Sequence, residues 1–91
     1  MQTLLDSMGL TYIYEHPVRS GFILDFAFPE KMKAIEVDGH PSHFTSKGRR
    51  RDRFRDWILG RAGWRILRVT ADELRENPRE TAQKITVFLS N

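Results

Sequence analysis

The sequence predicts one α/β (α+β) domain, a small sheet with helices packed on it, and three observations lead there. Three stretches with strand-like alternation, 10–16, 22–28 and 32–38, follow one another through short links, which favours an antiparallel meander. A helical pattern ending near Ala62 then separates them from a fourth apolar strand, Trp64 to Val69, so that a crossover can bring this strand parallel to an earlier one. Ninety-one residues, 40% hydrophobic and 30% charged, suffice for one modest core and no second.

Each element has its own signal. Met1 to Gly9 reads as a short helix, with Leu4, Leu5 and Met8 at one-face spacing and Gly9 as its stop. The first strand sets Tyr12 and Tyr14 on one face against Ile13 and Glu15 on the other, and Pro17 ends it. After the turn at Arg19-Ser20-Gly21, Phe22, Leu24, Phe26 and Phe28 alternate with Ile23, Asp25 and Ala27. A turn at Pro29 to Lys31 leads to the third strand, which ends at Asp38. Gly39 to Gly48 has the glycine, proline and serine content of a loop. In the helix that follows, Phe54, Trp57, Ile58 and Arg61 are expected on one face, with Arg49, Asp52, Arg55 and Asp56 around the other. Trp57 and Trp64 are both expected in the core. Thr70 or Asp72 opens a short helical turn, and Pro78 starts a terminal helix whose apolar side is read as Ala82, Ile85, Val87, Phe88 and Leu89.

Composition excludes several function classes. There is no cysteine, so disulfides, thiolate metal sites and cysteine nucleophiles are absent, and any metal must be held by Asp, Glu, His or backbone oxygen. No apolar run is long enough to span a bilayer and no signal-peptide pattern opens the chain, so the expected location is the cytoplasm. The net charge of +3 conceals an asymmetry: Lys47, Arg49, Arg50, Arg51, Arg53 and Arg55 all fall between positions 47 and 55. With a sequence pI near 9.7, that cluster is the electrostatic footprint of a nucleic-acid binder.

The acids carry the chemistry. Asp25 interrupts an apolar strand, and Glu36 and Asp38 lie two apart on the next strand, hence on one face. If the two strands pair as a hairpin, the three carboxylates meet, and a hard divalent cation with oxygen ligands relieves their repulsion.

These residues resemble a known family. LDFAF around Asp25, AIEVDG from Ala34 to Gly39, His43, RDRFRD from Arg51 and GWRILRV from Gly63 to Val69 are similar to the PD-(D/E)xK restriction-endonuclease-like superfamily. Within it the likeness is greatest to the very-short-patch-repair mismatch endonucleases and the EDxHD phage homing endonucleases. The resemblance implies a bacterial or phage Mg²⁺-dependent endonuclease acting on double-stranded DNA, with Mn²⁺ as a substitute ion. It implies Asp25 as central metal ligand and the Val37 carbonyl as a second, with Glu36 at the glutamate position of the wider superfamily. His43 becomes the base or the group that orients water or phosphate, and Asp52 fixes its tautomer. Asp38 stands where the repair enzymes have a histidine, a departure that converts a phosphate donor into a further metal ligand. The first acid of EDxHD falls ahead of Met1; either it is lacking, or Glu15 on the first strand substitutes. Phosphate contacts are expected from Lys47, Arg49, Arg50, Arg51 and Arg53, and a homodimer or an appended DNA-recognition segment is compatible with so short a chain. A competing reading comes from PSHF beside VDG, which resembles the RAP domain and implies a catalytically weak RNA-binding module of the same fold.

Overall fold

The computed structural model describes residues 1–39 and 46–90, with side chains described for 1–39 and 53–90. The elements are α1 (Gln2–Ser7), β1 (Ile13–Pro17), β2 (Ile23–Phe28), a single 3₁₀ turn (Pro29–Lys31), β3 (Lys33–Asp38), α2 (Ser46–Arg61), β4 (Arg65–Thr70), α3 (Ala71–Glu76) and α4 (Pro78–Ser90). The strands form one sheet in the order β1-β2-β3-β4. The first two pairings are antiparallel and β3–β4 is parallel, as the crossover through α2 requires. The sequence-based expectation of a meander extended by a strand after a helix therefore holds.

Helices lie on both faces of the sheet. On one, α1 and α4 bury Leu5, Ile85 and Leu89 against Phe26, Phe28, Ile35 and Val69. On the other, α2 inserts Leu59 among Leu24, Ala27, Ala34 and Trp64. Lys33 is almost fully buried and its Nζ donates to the Phe88 carbonyl at 2.6 Å, so β3 is tied to α4. Burial lowers the Lys33 pKa, with Arg65 and Lys31 adding to the effect. Thr70 ends β4 and starts α3 by a capping box: its hydroxyl accepts from the Glu73 N–H at 3.0 Å while the Glu73 carboxylate accepts from the Thr70 N–H at 2.9 Å. That places the loop end of β4 rigidly beside the loop end of β3.

Three packing expectations are corrected. Phe54 and Trp57 are 60% and 59% exposed, and α2 instead turns Leu59 inward with Ile58 and Arg55 half-buried. The burying face runs through 55, 58 and 59, one helical stripe, while the Trp57 ring is covered by the Arg61 guanidinium at 5.1 Å. In α4, Val87 is 62% exposed, and Thr81, Ile85 and Leu89 form the inward stripe at i, i+4 and i+8. The third correction lies in β2. Strict alternation puts Phe22, Leu24, Phe26 and Phe28 on one face, yet Phe22 and Leu24 belong to the α2-side core and Phe26 and Phe28 to the α1/α4-side core. The alternation slips between 24 and 26, at Asp25. β1 slips with it: Tyr14 packs on Phe26 at 5.4 Å between ring centres, whereas His16 packs on Trp64, across the sheet, at 5.9 Å. Between them, Glu15 has φ +52°. A left-handed residue reverses the face that the next side chain takes, and glutamate adopts that conformation only at a cost of about 1–2 kcal/mol.

Candidate active site at the strand fork

The slip coincides with a fork in the sheet. β2 and β3 pair regularly from Phe28–Lys33 to Phe26–Ile35. Asp25 and Glu36 are next in that register, and there the side chains take over from the backbone. Glu36 Oε2 accepts the Asp25 N–H at 2.9 Å, and Asp25 Oδ2 accepts the Val37 N–H at 3.0 Å. Two carboxylates thus close the end of the ladder reciprocally and satisfy donors that the separated strands leave without a carbonyl. β1 follows β2 continuously through this region, which brings Glu15 opposite Asp25, between the pairs Tyr14–Phe26 and His16–Leu24.

The two acids are not equivalent. Glu36 is buried and 4% exposed. Its Oε1 pairs with Arg55 Nη2, which also donates to the Ile23 carbonyl at 3.1 Å. Burial pushes the Glu36 carboxyl above its ordinary value and the neighbouring Asp25 charge adds to this, against the opposing pull of the Asp25 N–H and the Arg55 guanidinium. Asp25 is only half-buried and lines a cleft of about 480 Å³ with Met1, Gln2, Thr3, Tyr14, Phe26 and Val37. The N-terminal turn of α1 forms one wall. The Tyr14 phenol at this cleft is held above its ordinary pKa, first by the charge of Glu15 and by a hydrogen bond with it, then by partial burial and the charge of Asp25. Glu15, Tyr14 and Asp25 therefore share one electrostatic neighbourhood.

Asp38, on the same face of β3 as Glu36, is engaged by Arg68 Nη1 at 3.6 Å, and the other end of that guanidinium binds Asp56 on α2. Of the three carboxylates expected to meet, Asp25 and Glu36 lie side by side, and Asp38 sits behind an arginine. Among the described residues no three His, Asp or Glu side chains are grouped to hold one ion. The donor chemistry at the fork nevertheless suits a hard divalent cation, since the ligands that Asp25, Glu36 and the Val37 carbonyl can offer are oxygens. His43 lies outside the described residues, as do the side chains of Lys47, Arg49, Arg50, Arg51 and Asp52. Arg53 is described and exposed on α2. Sequence reasoning missed Arg55 and Arg68 as partners of the acids. For Arg55 a signal existed: it stands four residues before Leu59, on the stripe that α2 buries. For Arg68 and Asp56, whose pairing depends on how α2 crosses β4, there was none.

The family model REase_MTES_1575, of a restriction-endonuclease-like family, matches residues 2–89. The chain belongs to this family. An uncharacterized protein of Haemophilus influenzae is 27% identical over 84 residues, a span of 92% of this chain and 68% of that protein. Among solved structures, the catalytic domain of the homing endonuclease I-Bth0305I superimposes with a TM-score of 0.78 at 30% identity, covering 96% of this chain and 86% of that one. The fold of this REase_MTES_1575 family member is thus that of a homing-endonuclease catalytic domain, and the family and the structural neighbour together support nuclease function. No helix among the described residues is long and apolar enough to cross a membrane.

Proposed function

We propose that this protein is a metal-dependent DNA endonuclease that hydrolyses phosphodiester bonds, a catalytic domain of the very-short-patch-repair or phage homing type. The observation that carries the reading is the Asp25–Glu36 bracket at the open end of the β2–β3 ladder, one acid lining a cleft and the other buried beneath an arginine of the basic helix. A purely structural role explains both oxygens of Glu36 and one of Asp25. It does not explain why an otherwise apolar pair of strands carries two adjacent acids, one of them at a burial that raises its pKa.

Asp25, the Val37 carbonyl and Glu36 are the groups suited to hold Mg²⁺ or Mn²⁺, with Asp38 as the further acid on the same strand. The ion, when bound, polarises a phosphoryl oxygen and lowers the pKa of a water. The chain supplies the rest. Asp25 is oriented by the Val37 N–H, so its carboxylate keeps one direction at the cleft. Glu15 is the acid on β1 that takes the place of the one expected on the first helix, and the Tyr14 phenol, whose pKa the Glu15 charge raises, lines the same cleft as Asp25. His43 is assigned the role of accepting a proton from the attacking water, and Asp52 that of holding the imidazole in the required tautomer. Lys47, Arg49, Arg50, Arg51 and Arg53 neutralise phosphates, which makes affinity fall steeply with salt.

Supercoiled plasmid and a single-stranded RNA, each incubated with the protein in Mg²⁺, Mn²⁺ or EDTA, test the assignment. Nicked or linear plasmid in either cation and none in EDTA is the expected result. Plasmid cleavage that persists in EDTA refutes the metal requirement, and binding of RNA without cleavage of either substrate refutes the enzyme assignment.

A further inference from the structure

Asp25 and Glu36 each commit one oxygen to the backbone of the fork, Oδ2 to the Val37 N–H and Oε2 to the Asp25 N–H. The remaining oxygens, Asp25 Oδ1 and Glu36 Oε1, take no part in closing the ladder. Asp25 Oδ1 has no hydrogen-bond partner among the described residues, whereas Glu36 Oε1 is held by Arg55. The guanidinium therefore stands where positive charge is most needed, against a side chain that is 5% exposed. Its own anchorage is lighter. Apart from Glu36, Arg55 meets the Ile23 carbonyl at 3.1 Å and the Phe22 ring at 5.6 Å, and its side chain remains 18% exposed. A long side chain with an open flank can withdraw toward solvent, and a carboxylate locked into a strand fork cannot.

We infer that Arg55 is a resident counter-ion of Glu36 that a divalent cation must displace, so that Arg55 sets the cation affinity of the fork. This rests on the metal-dependent reading above and adds to it a positioning residue that acts through Glu36. A buried carboxylate left with neither partner is strongly destabilising. The guanidinium keeps the fork folded when no ion is bound, and its displacement subtracts from the ion's binding, as for any ligand that must first shift an equilibrium. Removing Arg55 should therefore weaken the fold and strengthen cation binding together, a combination that a purely structural clamp does not produce.

The test compares wild type, Arg55→Gln, Glu36→Gln and the double variant by calorimetric titration with Mg²⁺ and Mn²⁺ and by melting with cation or EDTA. In EDTA, Arg55→Gln should melt at least about 10 °C below wild type, the scale expected for breaking a buried ion pair in so small a domain. It should bind cation at least about 10-fold more tightly and recover more of its melting temperature on adding it than wild type gains. In the double variant this extra response should disappear, because no Glu36 charge remains to be exchanged. Equal or weaker cation binding by Arg55→Gln overturns the inference and leaves the metal reading intact, while absence of cation binding to every form overturns both. If Arg55→Gln does not fold in EDTA, ¹⁵N spectra of the wild-type guanidinium decide the matter. The restrained Arg55 side-chain signal should change as cation saturates the protein, and a signal unchanged at saturation overturns the inference.

Discussion

Asp25 does two separable things in this structure, and a pair of substitutions tells them apart. Its Oδ2 accepts the Val37 N–H at 3.0 Å, and its charge faces the cleft at the fork. Asparagine retains the carbonyl oxygen that the Val37 N–H needs and removes only the charge. Alanine removes both. A half-buried backbone donor left without an acceptor costs about 1–3 kcal/mol, which in a domain of this size lowers the melting temperature by roughly 4–24 °C. Asp25→Ala should therefore melt well below wild type, and Asp25→Asn should stay within about 1 kcal/mol of it. Cleavage should fall in both. If the aspartate charge contributes even about 3 kcal/mol to holding the ion or its developing charge, the rate drops by at least about 100-fold. Thermal melts in EDTA and plasmid relaxation in Mg²⁺, measured on the same preparations, read the two effects independently. An Asp25→Asn enzyme that relaxes plasmid at close to the wild-type rate would refute the catalytic assignment of Asp25. An Asp25→Ala protein as stable as wild type would refute the structural half of the argument.

Other expectations follow from the same geometry. Burial raises the Glu36 carboxyl in the folded chain, so the folded state holds this proton more tightly than the unfolded state does. Its contribution to stability should accordingly decline as pH rises from the unfolded value, about 4.3, through the raised folded value; the wild-type minus Glu36→Gln difference in melting temperature across that range should fall with pH, and a rising difference would contradict the direction of the shift. Trp64, 9% exposed, should cost about 3–5 kcal/mol on truncation to alanine, and Trp57, 59% exposed, less than about 1 kcal/mol in denaturant unfolding; similar losses from the two would mean that α2 packs with its other face inward. Glu15→Gly relieves a left-handed conformation at φ +52°, so stability should hold or rise by up to about 1 kcal/mol while plasmid cleavage falls. A glycine variant that cleaves normally would remove Glu15 from the proposed site.

The sequence by itself determined the local elements and their order, because each is encoded within a few neighbouring residues. Tyr12, one residue ahead of β1, and Tyr14 within it both pack on Phe26, as their spacing suggests. Gly9 and Gly63 follow their helices with positive φ, and Thr70 caps α3. It also made Asp25 and Glu36 conspicuous, since a carboxylate in an apolar strand demands a partner whatever the fold. What only the tertiary structure decided is where each face points and who neutralises whom. The period-two rule assumes an unbroken strand, and here it breaks twice: His16 follows the left-handed Glu15 to the face opposite Tyr14, and Leu24 lies on the opposite face from Phe26 across Asp25. The aromatic residues of α2 read as core because they are large and apolar, but the helix had one stripe to bury, and Leu59 with the stem of Arg55 fills it. Arg55 meets Glu36 across 19 positions of chain and Arg68 joins Asp38 to Asp56 across three elements. Such pairings depend on the crossing of a helix over a sheet, a property of assembled surfaces that no local pattern of residues contains.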